Sequence, residues 1–115
     1  MSKEGLLKAL TGIGLSQVDA EVYIFLANGP QKGKNIAEAL KLYKQQLYRS
    51  LRNLQGKGLV SVTCEHPTQF SAVSLERVID MFVKVKTEEA RALQETKEEL
   101  LSTLRSLIKK DQRSS

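Results

Sequence analysis

Gln45 and Arg49 stand four residues apart in "YKQQLYRSLRNL", residues 43–54, beside Lys44, Gln46 and Arg52 and with no carboxylate in the stretch. An amide and a guanidinium one helical turn apart can each offer paired hydrogen bonds to a base edge, Gln to adenine and Arg to guanine. The same side chains also make a row of positive charge suited to a polyanion. Stepping 100° per residue puts Leu47, Leu51 and Leu54 on one stripe, with Gln45, Arg49 and Arg52 opposite and Gln46 and Asn53 flanking. One face packs and the other is free for a partner.

Other chemistry finds few parts. Cys64 is the single cysteine and His66 the single histidine, which excludes an internal disulfide framework and the usual clustered Cys/His zinc site. Cys64 reads as a small core or half-buried residue, and His66 as a solvated turn residue within reach of a phosphate. "GPQKGKN" is one residue short of a phosphate-binding loop and has Asn35 in the magnesium-ligand position. No nucleophile–base pair is apparent, and the carboxylates lie mostly among Lys and Arg near the C-terminus, so no enzyme, metal or cofactor is expected.

The net charge of +5 is localised. Residues 30–60 hold seven Lys or Arg against Glu38 alone, whereas residues 61–115 hold nine bases and nine acids. That distribution favours an electrostatic footprint over scattered surface lysine. The chain has 115 residues, of which 41% are hydrophobic, enough for one small domain with an appendage. The longest apolar run, Val22 to Ala27, is too short to span a bilayer, and no leader pattern opens the sequence; a soluble, cytoplasmic protein without membrane contact is expected.

The elements that must position the basic stretch can be placed in order. Leu6, Leu7, Leu10 and Ile13 are helically spaced up to a stop at Gly12 and Gly14. Ser16 caps a second helix, with Asp19 three residues on, and Asn28-Gly29-Pro30 ends it. A third helix covers roughly 34–40, and the opening stretch is the fourth, ended by Gly58. "LVSVTCE" and "QFSAV" read as strands around the turn "HPTQ". The expected fold is mainly α with a small β-hairpin (α+β): a winged helix-turn-helix followed by a long C-terminal helix.

"GLSQVDAEVYIFLANGP", "IAEALKLYKQQLYRSLRNLQGKGLV" and "HPTQFSAVSLERV" together resemble the N-terminal DNA-binding domain of the TrmB-like transcriptional regulators, mainly archaeal, and more distantly the MarR group. The resemblance spans about residues 10–90. It implies a turn at Lys41–Tyr43, a recognition helix at 44–55 and a wing at 65–70. Base contacts are then expected from Tyr43, Lys44, Gln45, Gln46 and Arg49, and phosphate contacts from Lys32, Lys34, Arg52 and Lys57. His66, Thr68 and Gln69 would belong to the wing, although Thr68 and Gln69 stand where basic residues are common. Lys41 occupies a position that often holds Gly, so a positive φ there is held at some cost. Gly56 interrupts a usually charged helical turn and is expected to loosen the helix end by about 1 kcal/mol relative to Ala. Tyr48 reads as packing. A sugar-sensing domain often follows in this family; the chain has no room for one, and no small-molecule site is evident.

From Ser74 onward one helical pattern continues. Leu75, Val78, Ile79 and Phe82 form a face expected to pack on the domain, and Ala90, Leu93, Leu100, Leu101, Leu104, Leu107 and Ile108 prolong it. Residues 75–110 would extend roughly 54 Å as a single helix; Thr87-Glu88-Glu89 offers an alternative start for a second one. Two domains follow: a DNA-binding part, 1–86, and a helical dimerisation extension with a polar tail, 87–115, in which "KKDQRSS" reads as disordered. Leu93, Leu100, Leu104 and Leu107 are the expected homodimer contacts, in a coiled coil where Lys97 snorkels outward. Double-stranded DNA is the expected partner. The competing reading is a winged-helix protein–protein module whose basic helix docks an acidic partner; Gln45 and Gln46 beside Arg49 favour DNA, since charge alone would serve the other role.

Overall fold

The computed structural model describes residues 2–63 and 67–114, so the readings of Cys64 and His66 lie outside the described residues. Five helices and one hairpin follow in the order α1 Lys3–Gly12, α2 Gln17–Leu26, α3 Gly33–Leu40, α4 Lys44–Gly56, β1 Val60–Val62, β2 Phe70–Ala72 and α5 Leu75–Ser114. The chain divides into two compact units, Met1–Ile79 and Asp80–Ser115, where the sequence suggested a boundary between residues 86 and 87.

In the first unit, α2 is the central helix. Its apolar run buries Ala20, Val22, Tyr23 and Leu26, while α4 contributes Leu47, Leu51 and Leu54, each no more than 1% exposed. Leu10, Leu15, Ile36, Leu59, Val60, Phe70 and Val78 complete the core among the described residues. A fully buried Leu or Ile stabilises such a fold by about 1.5–3 kcal/mol relative to exposure. Tyr23 lies in this core with its hydroxyl donating to the Val73 carbonyl at 2.6 Å, which ties the end of the hairpin to α2. Burial pushes the Tyr23 phenol pKa up.

Local chemistry sets the helix ends. Ser16 Oγ accepts from the Asp19 backbone N–H at 3.0 Å, the cap expected for α2. At the end of α4, Gly58 takes φ +79°, and the Leu59 N–H reaches back to the Leu54 carbonyl at 2.9 Å, the wrap that a left-handed glycine permits. Lys41 ends α3 at φ 55° and ψ 48°, a left-handed conformation that costs a residue with a Cβ about 1–2 kcal/mol. The Leu42 N–H closes this turn on the Ala37 carbonyl at 3.0 Å, so the turn occupies Lys41–Tyr43 as expected.

The hairpin pairs Val60 with Ala72 and Val62 with Phe70. A third edge was not foreseen: Gln31 exchanges both backbone hydrogen bonds with Phe70, at 3.0 and 2.8 Å. Gly33 follows it at the start of α3, and a Cβ there would meet the Tyr48 hydroxyl at 3.1 Å and the Phe70 ring at 3.7 Å.

The C-terminal pattern resolves as one unbroken helix. Thr87 starts no second element, and the segment expected as a disordered tail is helical to Ser114. Residues 75–114 contain no Gly or Pro to stop a helix, and the stretch 109–113 is rich in residues that favour it. Of the face expected to pack on the domain, the part within the first unit has Val78 fully buried, while Leu75 and Ile79 remain partly exposed. Among the described residues no helix is long and apolar enough to cross a membrane.

Gly56 closes α4 without a left-handed φ, and a Cβ built on it meets nothing within 4 Å. Gly56→Ala is therefore expected to stabilise the protein by about 0.5–1 kcal/mol, read as a rise in the midpoint of a denaturant titration.

Candidate nucleic-acid interface

The candidate interface is built on α4, whose 13 residues rise about 1.5 Å each. Tyr43 at its entrance is 81% exposed, and Lys44, Gln45, Gln46, Arg49 and Arg52 are all exposed. Lys44, Gln45, Tyr48, Arg49 and Arg52 line one shallow concavity of about 390 Å³, so the expected outward face does assemble. Both ion pairs found among the described residues, Lys86–Glu89 and Arg91–Glu95, lie on α5. The cations of α4 are left to a partner or to water.

The expected site residues separate by how free their side chains are. Gln46 Oε1 accepts from the Tyr43 backbone N–H at 3.0 Å, so its carbonyl closes the helix start and is not free for a paired contact, which would need both amide atoms. Arg49 and Arg52 have no side-chain hydrogen bond to the described residues. Lys44 Nζ sits 6.0 Å from the centroid of the Tyr48 ring, at the outer limit of a cation–π contact. Tyr48, read from the sequence as packing, lies beside Gly33 yet remains 39% exposed.

Lys34 lines a second hollow with Lys44 and Tyr48, between α3 and α4, and Lys32 is exposed just before α3. Lys57 is placed differently: its ammonium donates to the Gly14 carbonyl at 3.3 Å, at the opposite end of α4 from Lys44. In the wing, Thr68 is exposed and the Gln69 backbone N–H is held by Thr63 Oγ1 at 3.0 Å.

Sequence reasoning missed a cluster beneath this face. Asp19 on α2 is buried, and it accepts from Ser50 Oγ and from Asn53 Nδ2, each at 2.6 Å. A signal was present: Ser50 falls inside the apolar stripe of Leu47, Leu51 and Leu54, where a hydroxyl needs a partner. Asp19 had been assigned only a place in a cap. An open cleft of about 520 Å³ lies above the cluster, lined by Ser16, Val18, Asp19, Gln46, Arg49, Ser50 and Asn53. Arg49 borders both this cleft and the concavity on its other side.

Comparison with known proteins places this geometry. Residues 10–76 match the family described as sugar-specific transcriptional regulator TrmB. Among solved structures the chain is similar to TrmBL2, described as an archaeal chromatin protein with a novel mode of DNA binding, at TM-score 0.73 and 25% identity over 94% of this chain and 44% of that one. The chain thus spans less than half the length of TrmBL2. A possible transcriptional regulator from Methanosarcina mazei Go1 aligns at TM-score 0.64 and 19% identity, over 83% of this chain and 86% of its own. The ST1889 protein of the thermoacidophilic archaeon Sulfolobus tokodaii aligns at TM-score 0.64 and 23% identity, over 80% and 99% respectively. These last two likenesses concern the winged-helix fold alone. Among curated proteins, none matches the chain by sequence.

Proposed function

The chain belongs to the TrmB family of transcriptional regulators, and from that membership we propose that it binds double-stranded DNA sequence-specifically, as a homodimer, with α4 in the major groove. The observation that carries the proposal is the outward face of α4, where Gln45, Arg49 and Arg52 are exposed together and pair with no carboxylate among the described residues. In this arrangement Arg49 addresses a guanine edge and Gln45 an adenine edge. Tyr43, Lys44 and the free amide nitrogen of Gln46 border them. Lys32, Lys34 and Arg52 contact phosphates, where a flexible cation acts as a point charge without reading sequence. Lys57, already engaged with Gly14, adds to the field more than to a particular contact. The protein works in the cytoplasm, with its DNA.

The homodimer rests on α5. Val83, Ala90, Lys97 and Leu104 alternate with Lys86, Leu93, Leu100 and Leu107 at steps of three and four residues, the seam spacing of a coiled coil. Leu93, Leu100, Leu104 and Leu107 are 54–64% exposed in the single chain, and a second copy laid along this seam covers them. Two of these inner positions are lysines, Lys86 and Lys97, and a two-stranded seam suits them because their ammonium groups can leave it for water. Two-fold pairing would present two recognition helices to half-sites about 34–36 Å apart.

A second reading draws on TrmBL2, which is described as a chromatin protein: sequence-independent coating of DNA, for which the seven bases of residues 30–60 would suffice. One pair of variants separates the two. Arg49→Ala should weaken binding to a selected site by about 1–3 kcal/mol and random duplex little. Lys34→Ala should weaken both alike and lower the slope of log affinity against log salt by about 0.9 per subunit. Equal losses for Arg49→Ala on both duplexes would point to coating, and an acidic protein that competes as well as DNA would point to a docking module.

The interface on α5 has its own test. In sedimentation equilibrium, Leu100→Glu/Leu104→Glu is expected to convert a dimer to a monomer, because four carboxylates would enter one seam. An unchanged dimer mass would place the interface elsewhere.

A further inference from the structure

Asp19 is 4% exposed, and both of its carboxylate oxygens are met from the recognition helix, by Ser50 Oγ and Asn53 Nδ2 at 2.6 Å. Bonds this short to a charged acceptor are charge-assisted and weaken steeply with distance and angle. Apolar contacts between Leu side chains are non-directional by comparison and tolerate small slides. Ser50 and Asn53 lie three residues apart on one side of α4, so a screw motion of the helix that preserves its leucine packing still stretches at least one of the two bonds. Arg49 directly precedes Ser50, is one turn before Asn53, and lines the same cleft as all three.

We infer that Asp19 is a positioning residue for sequence reading: by holding Ser50 and Asn53 it fixes the rotation and height of α4, and thereby the aim of Arg49 and Gln45. The inference rests on the specific-readout proposal above. Its consequence is selective. A base contact needs its donors aligned in two directions, whereas a lysine reaching a phosphate adapts through its flexible stem. Releasing α4 should therefore degrade specificity and spare general affinity for DNA.

The test uses a duplex enriched from a random-sequence pool by the wild-type protein, and a random duplex as reference. Affinities of wild type, Asp19→Ala, Asp19→Asn and Ser50→Ala are measured on both across several salt concentrations, with circular dichroism and thermal melting to establish the folded fraction. Asp19→Ala is expected to lower the ratio of selected to random affinity by about tenfold or more, the worth of one lost base contact. Affinity for random duplex should stay within about twofold, with the salt slope unchanged. Asp19→Asn keeps the shape and can keep both bonds once the Asn53 amide turns over, so it should restore most of the ratio. Partial unfolding alone scales both affinities equally and leaves the ratio unmoved; a folded Asp19→Ala with the wild-type ratio therefore overturns the inference. Should Asp19→Ala not fold, Ser50→Ala decides, since it removes one of the two donors: a reduced ratio supports positioning, and an unchanged one overturns it. A wild-type protein that enriches no sequence overturns the specific-readout proposal itself, and this inference with it.

Discussion

Asp19 carries a charge into the contact between α2 and α4, where both of its oxygens must find donors within the protein. Ser50 and Asn53 supply them. The carboxylate also occupies the first turn of α2, near the positive end of that helix's dipole, which favours a negative charge there. Its own backbone N–H is held by Ser16. A single residue thus closes the start of the central helix and fixes the middle of the helix packed across it. Leucines hold α4 to the core, and the carboxylate selects one seating among those the leucines would accept.

The rest of α4 is held at its two ends. At the entrance, Lys41 accepts a left-handed backbone so that Leu42 can close on Ala37, and Gln46 folds its amide oxygen back onto Tyr43. At the exit, Gly58 turns the chain into β1, and Lys57 reaches Gly14 in the loop before α2. Gly33 lets the Tyr48 ring lie close against the start of α3. The charged side chains between these anchors, Lys44, Arg49 and Arg52, form no ion pair with the described residues. Their charges stay in water, where they cost the fold little and remain available to a polyanion.

α5 poses the opposite problem. Its charged residues up to Lys109 are exposed, with two loose ion pairs among the described residues, while its leucines are exposed as well. An isolated helix draws most of its stability from packing one apolar face, and the described residues of the unit Asp80–Ser115 offer no such packing within that unit. Intrinsic propensity supports the element, since no Gly or Pro interrupts residues 75–114. A seam with a regular repeat is the feature that a second copy satisfies.

The order of elements was legible in the sequence because its causes are local. Ser16, Gly14, Gly58 and the three-residue turn at Lys41–Tyr43 act within a few positions of themselves, and the leucine stripe of α4 follows from helical period alone. The outward face of Gln45, Arg49 and Arg52 was legible for the same reason. Other features needed the tertiary structure. Gln31 pairs with Phe70 through backbone atoms, which every residue type carries, so no side-chain pattern announces it. Thr87 could have capped a helix or continued one, and cooperative propagation of the helix decided. That the Gln46 amide oxygen is engaged at the helix start, on the Tyr43 backbone N–H, is likewise visible only in the structure. Asp19 is separated from Ser50 and Asn53 by 31 and 34 residues. A sequence shows that Ser50 needs a partner, but only the packing of α2 against α4 shows which one, because burial and hydrogen-bond geometry are properties of chains brought together in space.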